Sequence, residues 1–87
     1  MKIKDGFLLR SVAGKNIVVP VGAELNFSGM ISLNDTATFM WEKLTEGTTY
    51  DALLSAILSE YSIDEDTARK DLDSFLNKLA DLSILED

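Results

Sequence analysis

Asp64-Glu65-Asp66 is the one run of three consecutive acids in the sequence, and closely spaced carboxylates are what cation binding and acid–base catalysis use. A calcium loop would need a central glycine and a glutamate at its last position, and neither is present. Acids in the first turn of a helix meet the positive end of its dipole, which accounts for this run locally. A glycosidase-type acid pair needs a sugar cleft around it, and no part of the sequence builds one. Asp73-Ser74-Phe75 is a second candidate, a faint version of the Asp-Ser-Leu motif that carries the prosthetic group of acyl carrier proteins. Here Ser74 falls deep inside a helical pattern with no loop glycine before it, and the first third of the chain reads as strand. Trp41, the sole tryptophan, sits on the apolar stripe of a helix, where such a residue is core rather than ligand platform. There are no cysteines and no histidines, which removes disulfides, thiolate metal sites, the commonest metal ligand and the side chain best suited to proton transfer near neutral pH. No catalytic residue, metal or cofactor is expected.

The elements that position these residues begin with β structure. Phe7–Val12 and Asn16–Val19 are strand-like runs joined by Ala13-Gly14-Lys15, a hairpin pattern, and Pro20 ends the second because it has no N–H for a ladder. Val21 to Ser28 is an irregular connection, and Gly29 opens a third strand, Met30 to Leu33. Three helices follow. Asn34 or Asp35 caps the first, whose apolar stripe is Ala37, Met40, Trp41 and Leu44, and Gly47 ends it. Thr48-Thr49-Tyr50-Asp51 reads as a capping box for the second, with Leu53, Leu54, Ile57, Leu58 and Tyr61 along it. Asp64 caps the third, with Ile63 stapled onto Ala68, and Ala68, Leu72, Phe75, Leu76, Leu79 and Leu82 form its buried stripe. The expected architecture is α+β: a small three-stranded antiparallel sheet followed by three helices, winged-helix-like, in a single domain over 1–87.

With 87 residues, 46% of them apolar, the chain has enough material for one small core. Its net charge of −7 opposes nucleic-acid phosphates and anionic membranes alike. The winged-helix outline raises a transcriptional regulator as the alternative. Yet the third helix carries Asp64, Glu65, Asp66, Asp71, Asp73 and Asp81 against Arg69, Lys70 and Lys78, a net of −3 that phosphates would repel. No apolar run crosses a bilayer, and the first six residues have two lysines without the apolar region of a signal peptide, so a cytoplasmic protein is expected. The chemistry left is backbone chemistry. The Met30–Leu33 strand is the expected outer one, and Gly29-Met30-Ile31-Ser32-Leu33 lacks the Lys or Pro that blunts an edge. Such an edge invites an extended peptide to add as a further strand, with the third helix as pocket wall.

Phe7-Leu8-Leu9-Arg10, Ile17-Val18-Val19-Pro20, Gly29 to Asn34 with Thr36-Ala37 and Met40-Trp41-Glu42-Lys43-Leu44, Glu46-Gly47-Thr48-Thr49, Glu60-Tyr61-Ser62-Ile63-Asp64, and Asp71-Leu72 with Phe75-Leu76 and Leu79 resemble, in order and spacing, the PqqD family of peptide-binding modules, the RiPP recognition elements. The resemblance implies a protein that binds the leader of a ribosomally made precursor peptide and presents it to a modifying enzyme, often a radical S-adenosylmethionine enzyme. It places the leader as a strand along the backbone of Met30, Ile31, Ser32 and Leu33, against helix residues Asp71, Ser74, Phe75 and Lys78. A free edge also pairs with a copy of itself, so a homodimer is among the expected states.

Overall fold

The structure is a computed structural model that describes residues 1–20 and 31–86. Its elements are β1 (Lys2–Ile3), β2 (Phe7–Val12), β3 (Lys15–Pro20), β4 (Ile31–Leu33), α1 (Asp35–Glu46), α2 (Tyr50–Glu60), α3 (Glu65–Asp81) and β5 (Leu85–Glu86). Strands β2, β3 and β4 form a three-stranded antiparallel sheet in that order. The expected α+β arrangement of sheet and three helices is present.

The hairpin link is one residue shorter than its sequence pattern suggests. Lys15 belongs to β3 and pairs with Val12, leaving Ala13-Gly14 as a two-residue turn. Both turn residues have positive φ, 53° and 79°, the geometry of a type I′ turn, whose twist matches that of the strands it joins. Gly14 adopts it freely, whereas Ala13 carries a Cβ into a left-handed conformation. Pro20 is the last residue of β3, opposite Phe7, where a missing N–H costs the ladder nothing further along.

Alternation places one face of the sheet on the helices. Val18, Ile31 and Leu33 are buried on that face, while Ser32 is exposed on the other. The helices supply Met40, Trp41, Leu44, Leu53, Leu54, Ile57, Ala68, Leu72, Phe75 and Leu79 to the same core. Trp41 is 3% exposed and meets the edge of the Phe7 ring at 6.3 Å, so it packs as core.

Two caps fall where the sequence puts them. Asn34 Oδ1 accepts from Ala37 N–H at 2.8 Å, and Asp64 Oδ1 accepts from Thr67 N–H at 2.8 Å. The cap of α2 is shifted by one: Thr49, not Thr48, accepts through Oγ1 from Ala52 N–H at 3.1 Å. Thr48 instead exchanges backbone bonds with Met1, its N–H donating to the Met1 carbonyl at 2.9 Å. Leu82 is also displaced from expectation. It is the C-cap of α3 and 37% exposed, because the helix has ended where its periodicity would carry it inward. Ile84 takes the inward place and is fully buried. The half-buried Ile63 packs against the cluster that contains Ala68.

One element has no counterpart in the sequence reading. β1 and β5 pair antiparallel, Lys2 opposite Glu86 and Ile3 opposite Leu85, and Lys4 N–H donates to Ile84 carbonyl at 2.8 Å. This clip draws the first and last described residues together beside the end of α1.

Candidate functional site: an open strand edge beside α3

Backbone parity decides which groups of β4 are free. A bridge between Val12 and Lys15 across a two-residue turn requires that these two exchange both hydrogen bonds, so Lys15 points its N–H and C=O at β2. Its successors alternate: Asn16 and Val18 point at β4, Ile17 at β2. Asn16 faces Leu33 and Val18 faces Ile31, so Leu33 and Ile31 spend their backbone groups on β3. Ser32, opposite Ile17, turns its N–H and C=O to the outer side. Among the described residues no strand pairs with that side. The edge is limited at one end by α1, since the Asn34 carbonyl accepts from Thr38 N–H at 2.8 Å.

A trough of about 250 Å³ runs beside this edge. It is lined by Ser32, Leu33 and Asn34 from β4 and the cap, by Thr36, Ala37 and Met40 from α1, and by Asp71, Ser74, Phe75 and Lys78 from α3. A second hollow, of about 400 Å³, lies on the hairpin side of the same strand, with Lys15, Asn16 and Asp35 among its walls. The end of β4 is thus bordered by concave surface on two sides.

The α3 wall follows from helix geometry. Residues 71, 74, 75 and 78 are spaced i, i+3, i+4, i+7 and form one stripe. At about 100° per residue this stripe is centred about 90° from the core stripe of Ala68, Leu72 and Leu79. Phe75 lies where the two stripes meet, so it is 7% exposed and serves both core and trough. Asp73 falls on the far side, about 200° from Asp71. There the Tyr50 hydroxyl donates to its Oδ1 at 2.7 Å, tying α2 to α3 on the side away from the trough. That hydrogen bond, aided by desolvation and the Asp73 charge, raises the Tyr50 phenol above its ordinary value.

Six of the eight residues named from the sequence therefore meet in one concavity: Ser32, Leu33, Asp71, Ser74, Phe75 and Lys78. Ile31 does not line it. Its side chain is 5% exposed and faces the core, and its backbone groups face β3. Met30 lies outside the described residues. Asn34, Thr36, Ala37 and Met40 were not among the binding residues named from sequence; they enter because α1 starts directly after β4 and presents its first turns to the same hollow.

No titratable group of the trough is buried. Asp71 and Lys78 are exposed, and neither makes an ion pair among the described residues. The described ion pair of α3, Arg69 Nε to Glu65 Oε2 at 3.0 Å, runs along the helix surface. No cluster of three or more metal-ligating side chains occurs among the described residues, and no described helix is long and apolar enough to cross a membrane. What the arrangement offers is the outward N–H and C=O of Ser32, a partly apolar floor and one charge of each sign.

Comparison with known proteins follows the same lines. No curated protein matches the chain in sequence at a significant level. Two solved structures match its fold over nearly the whole length. One is TbiB1 in complex with the TbiA(beta) leader peptide, 28% identical, with a TM-score of 0.77 over 99% of this chain and 95% of that one. The other is lasso peptide synthetase B1 complexed with the leader peptide, 15% identical, with a TM-score of 0.75 over 99% and 96%. This second likeness concerns the fold alone. The model of the family described as Coenzyme PQQ synthesis protein D matches residues 17–85, and the chain therefore belongs to the PqqD family.

Proposed function

We propose that this chain is a non-catalytic peptide-binding domain, spanning 1–87, that takes up the leader of a ribosomally synthesised precursor and delivers it to a peptide-modifying enzyme. A radical S-adenosylmethionine protein is the enzyme class that the family resemblance brings forward. The observation that carries the reading is the outward Ser32 N–H and C=O beside a trough walled by α3. A guest strand hydrogen-bonds to that edge and lays alternate side chains against Phe75, Met40 and Leu33. Membership of the PqqD family and likeness to a leader-peptide complex support the ligand class. Ser74 acts in this reading as a wall residue; it stands in the middle of α3, unlike a carrier serine at a helix start.

The domain accelerates chemistry by raising the local concentration of precursor at the enzyme, not by contributing reacting groups. The edge also suits pairing with a second copy, and peptide and copy then compete for it. The test is an amide NMR titration with synthetic peptides spanning the leaders of short precursors encoded beside this gene. Shifts at Ser32, Leu33, Asn34 and along residues 71–78 are expected. Shifts confined to other surfaces, or salt-dependent binding to duplex DNA in place of peptide, would overturn the reading.

A further inference from the structure

We propose that Asp71 and Lys78 make the trough select its guest by charge register: a strand with one basic and one acidic side chain four residues apart, and an apolar side chain midway between them. The inference rests on the peptide-binding reading and says which peptides that site accepts.

The trough wall is electrically ordered. Asp71 and Lys78 are its only charged lining residues among those described, and they stand at opposite ends of the α3 stripe with Ser74 and Phe75 between. Seven residues of helix separate their Cα atoms by about 10.5 Å, and no ion pair joins them among the described residues, so each charge remains available to a guest. Both are exposed and neither is paired among the described residues, so a guest does not have to break a described bond to engage them.

Strand geometry sets the spacing on the guest. Side chains on one face of a strand recur every second residue, about 6.7 Å apart. Residues two apart fall short of the Asp71–Lys78 separation and leave nothing to cover Phe75. Residues four apart span about 13.5 Å, and the flexible stems of Lys78 and of a guest lysine or arginine close the remaining few ångströms. The residue midway then lies over Ser74 and Phe75, where an apolar side chain is best accommodated. A guest of one charge sign meets attraction at one end and repulsion at the other, which discriminates more than it binds.

The acidic member of the pair is the diagnostic one. With a net charge of −7 the protein attracts basic peptides at long range whatever their sequence. Enrichment of an acid at one fixed position runs against that field and requires a local cation, which Lys78 supplies.

The experiment is a display selection of random peptides of about ten residues on the intact protein. It is run in parallel on Ser32→Pro and on the charge-exchanged double variant Asp71→Lys/Lys78→Asp. The exchange keeps net charge, and both side chains are exposed, so packing is left alone. Wild type is expected to enrich peptides with opposite charges four residues apart around an apolar residue, and the exchanged variant to enrich the reverse order. A selected peptide should lose about three- to tenfold in affinity on charge exchange and regain it when its own two charges are exchanged. Binders blocked by Ser32→Pro but lacking the charge spacing, or unchanged by the exchange, would overturn the register and leave the peptide-binding reading standing. Binders indifferent to Ser32→Pro, or no binders at all, would remove both.

Discussion

Replacing Ser32 by proline isolates the outward N–H on which the proposed guest uptake depends. The ring removes the Ser32 N–H, which points outward, while Ile31 and Leu33 keep their bonds to Val18 and Asn16 on β3. An edge position tolerates proline, and Ile31, already extended, suits the position before it, so the fold should lose only about 1 kcal/mol. Binding should suffer far more. One main-chain hydrogen bond of about 0.5–1.5 kcal/mol is lost, the guest carbonyl left facing the ring adds about 1–3 kcal/mol, and the ring itself holds the guest away. A total of about 1.5–4.5 kcal/mol corresponds to a roughly 10- to 1,600-fold rise in Kd. Ser32→Ala keeps the N–H and should stay within about threefold of wild type. Calorimetric titration with a bound leader or selected peptide gives the affinities, and urea unfolding confirms that each variant is folded. A folded Ser32→Pro protein that binds within about threefold of wild type would refute the assignment of this edge.

Ala13→Asn should stabilise the hairpin by about 1 kcal/mol, read as a raised urea midpoint, because asparagine tolerates the positive φ at which Ala13 is held and Asn-Gly suits a type I′ turn. Leu72→Ala, at a fully buried position on α3, should cost about 2–5 kcal/mol in the same measurement, enough to unfold a domain of this size under mild denaturant. The Asp64 carboxyl is held below its ordinary value of 3.8 by the hydrogen bonds of Thr67, first from the side chain and then from the backbone. A carboxyl lowered in the folded state stabilises it above the unfolded value and loses that contribution as pH falls through the folded one. The urea midpoint of wild type should therefore decline below about pH 4 relative to Asp64→Asn, which keeps a capping oxygen but does not titrate there.

How much of this was legible in the sequence depended on whether the governing interaction was local. Asn34 and Asp64 announce their helices because a cap acts within three residues, and the α3 stripe of Asp71, Ser74, Phe75 and Lys78 is a matter of helix period. Thr48 and Thr49 are chemically equivalent candidates, and only the bond between Thr48 and Met1, 47 residues away, leaves the capping role to Thr49. β1 and β5 carry two residues each, too few to show a period, and their pairing joins opposite ends of the chain. The β4 edge, unpaired among the described residues, was legible as a strand but not as particular groups. Whether Ser32 or its neighbours face outward is set by the parity of a turn nearly twenty residues earlier, which hinges on Lys15 belonging to β3 rather than to the loop.

The β1–β5 clip has a practical consequence. It seats the first and last described residues near Thr48, at the finish of α1, whereas the trough opens at that helix's first turns. Twelve residues of helix hold the two locations about 18 Å apart. A fluorescent protein or an affinity handle joined beside residues 1 or 86 therefore starts about 18 Å from the trough. By the same geometry a short linker could close the chain into a circle, with new ends opened at the Ala13-Gly14 turn.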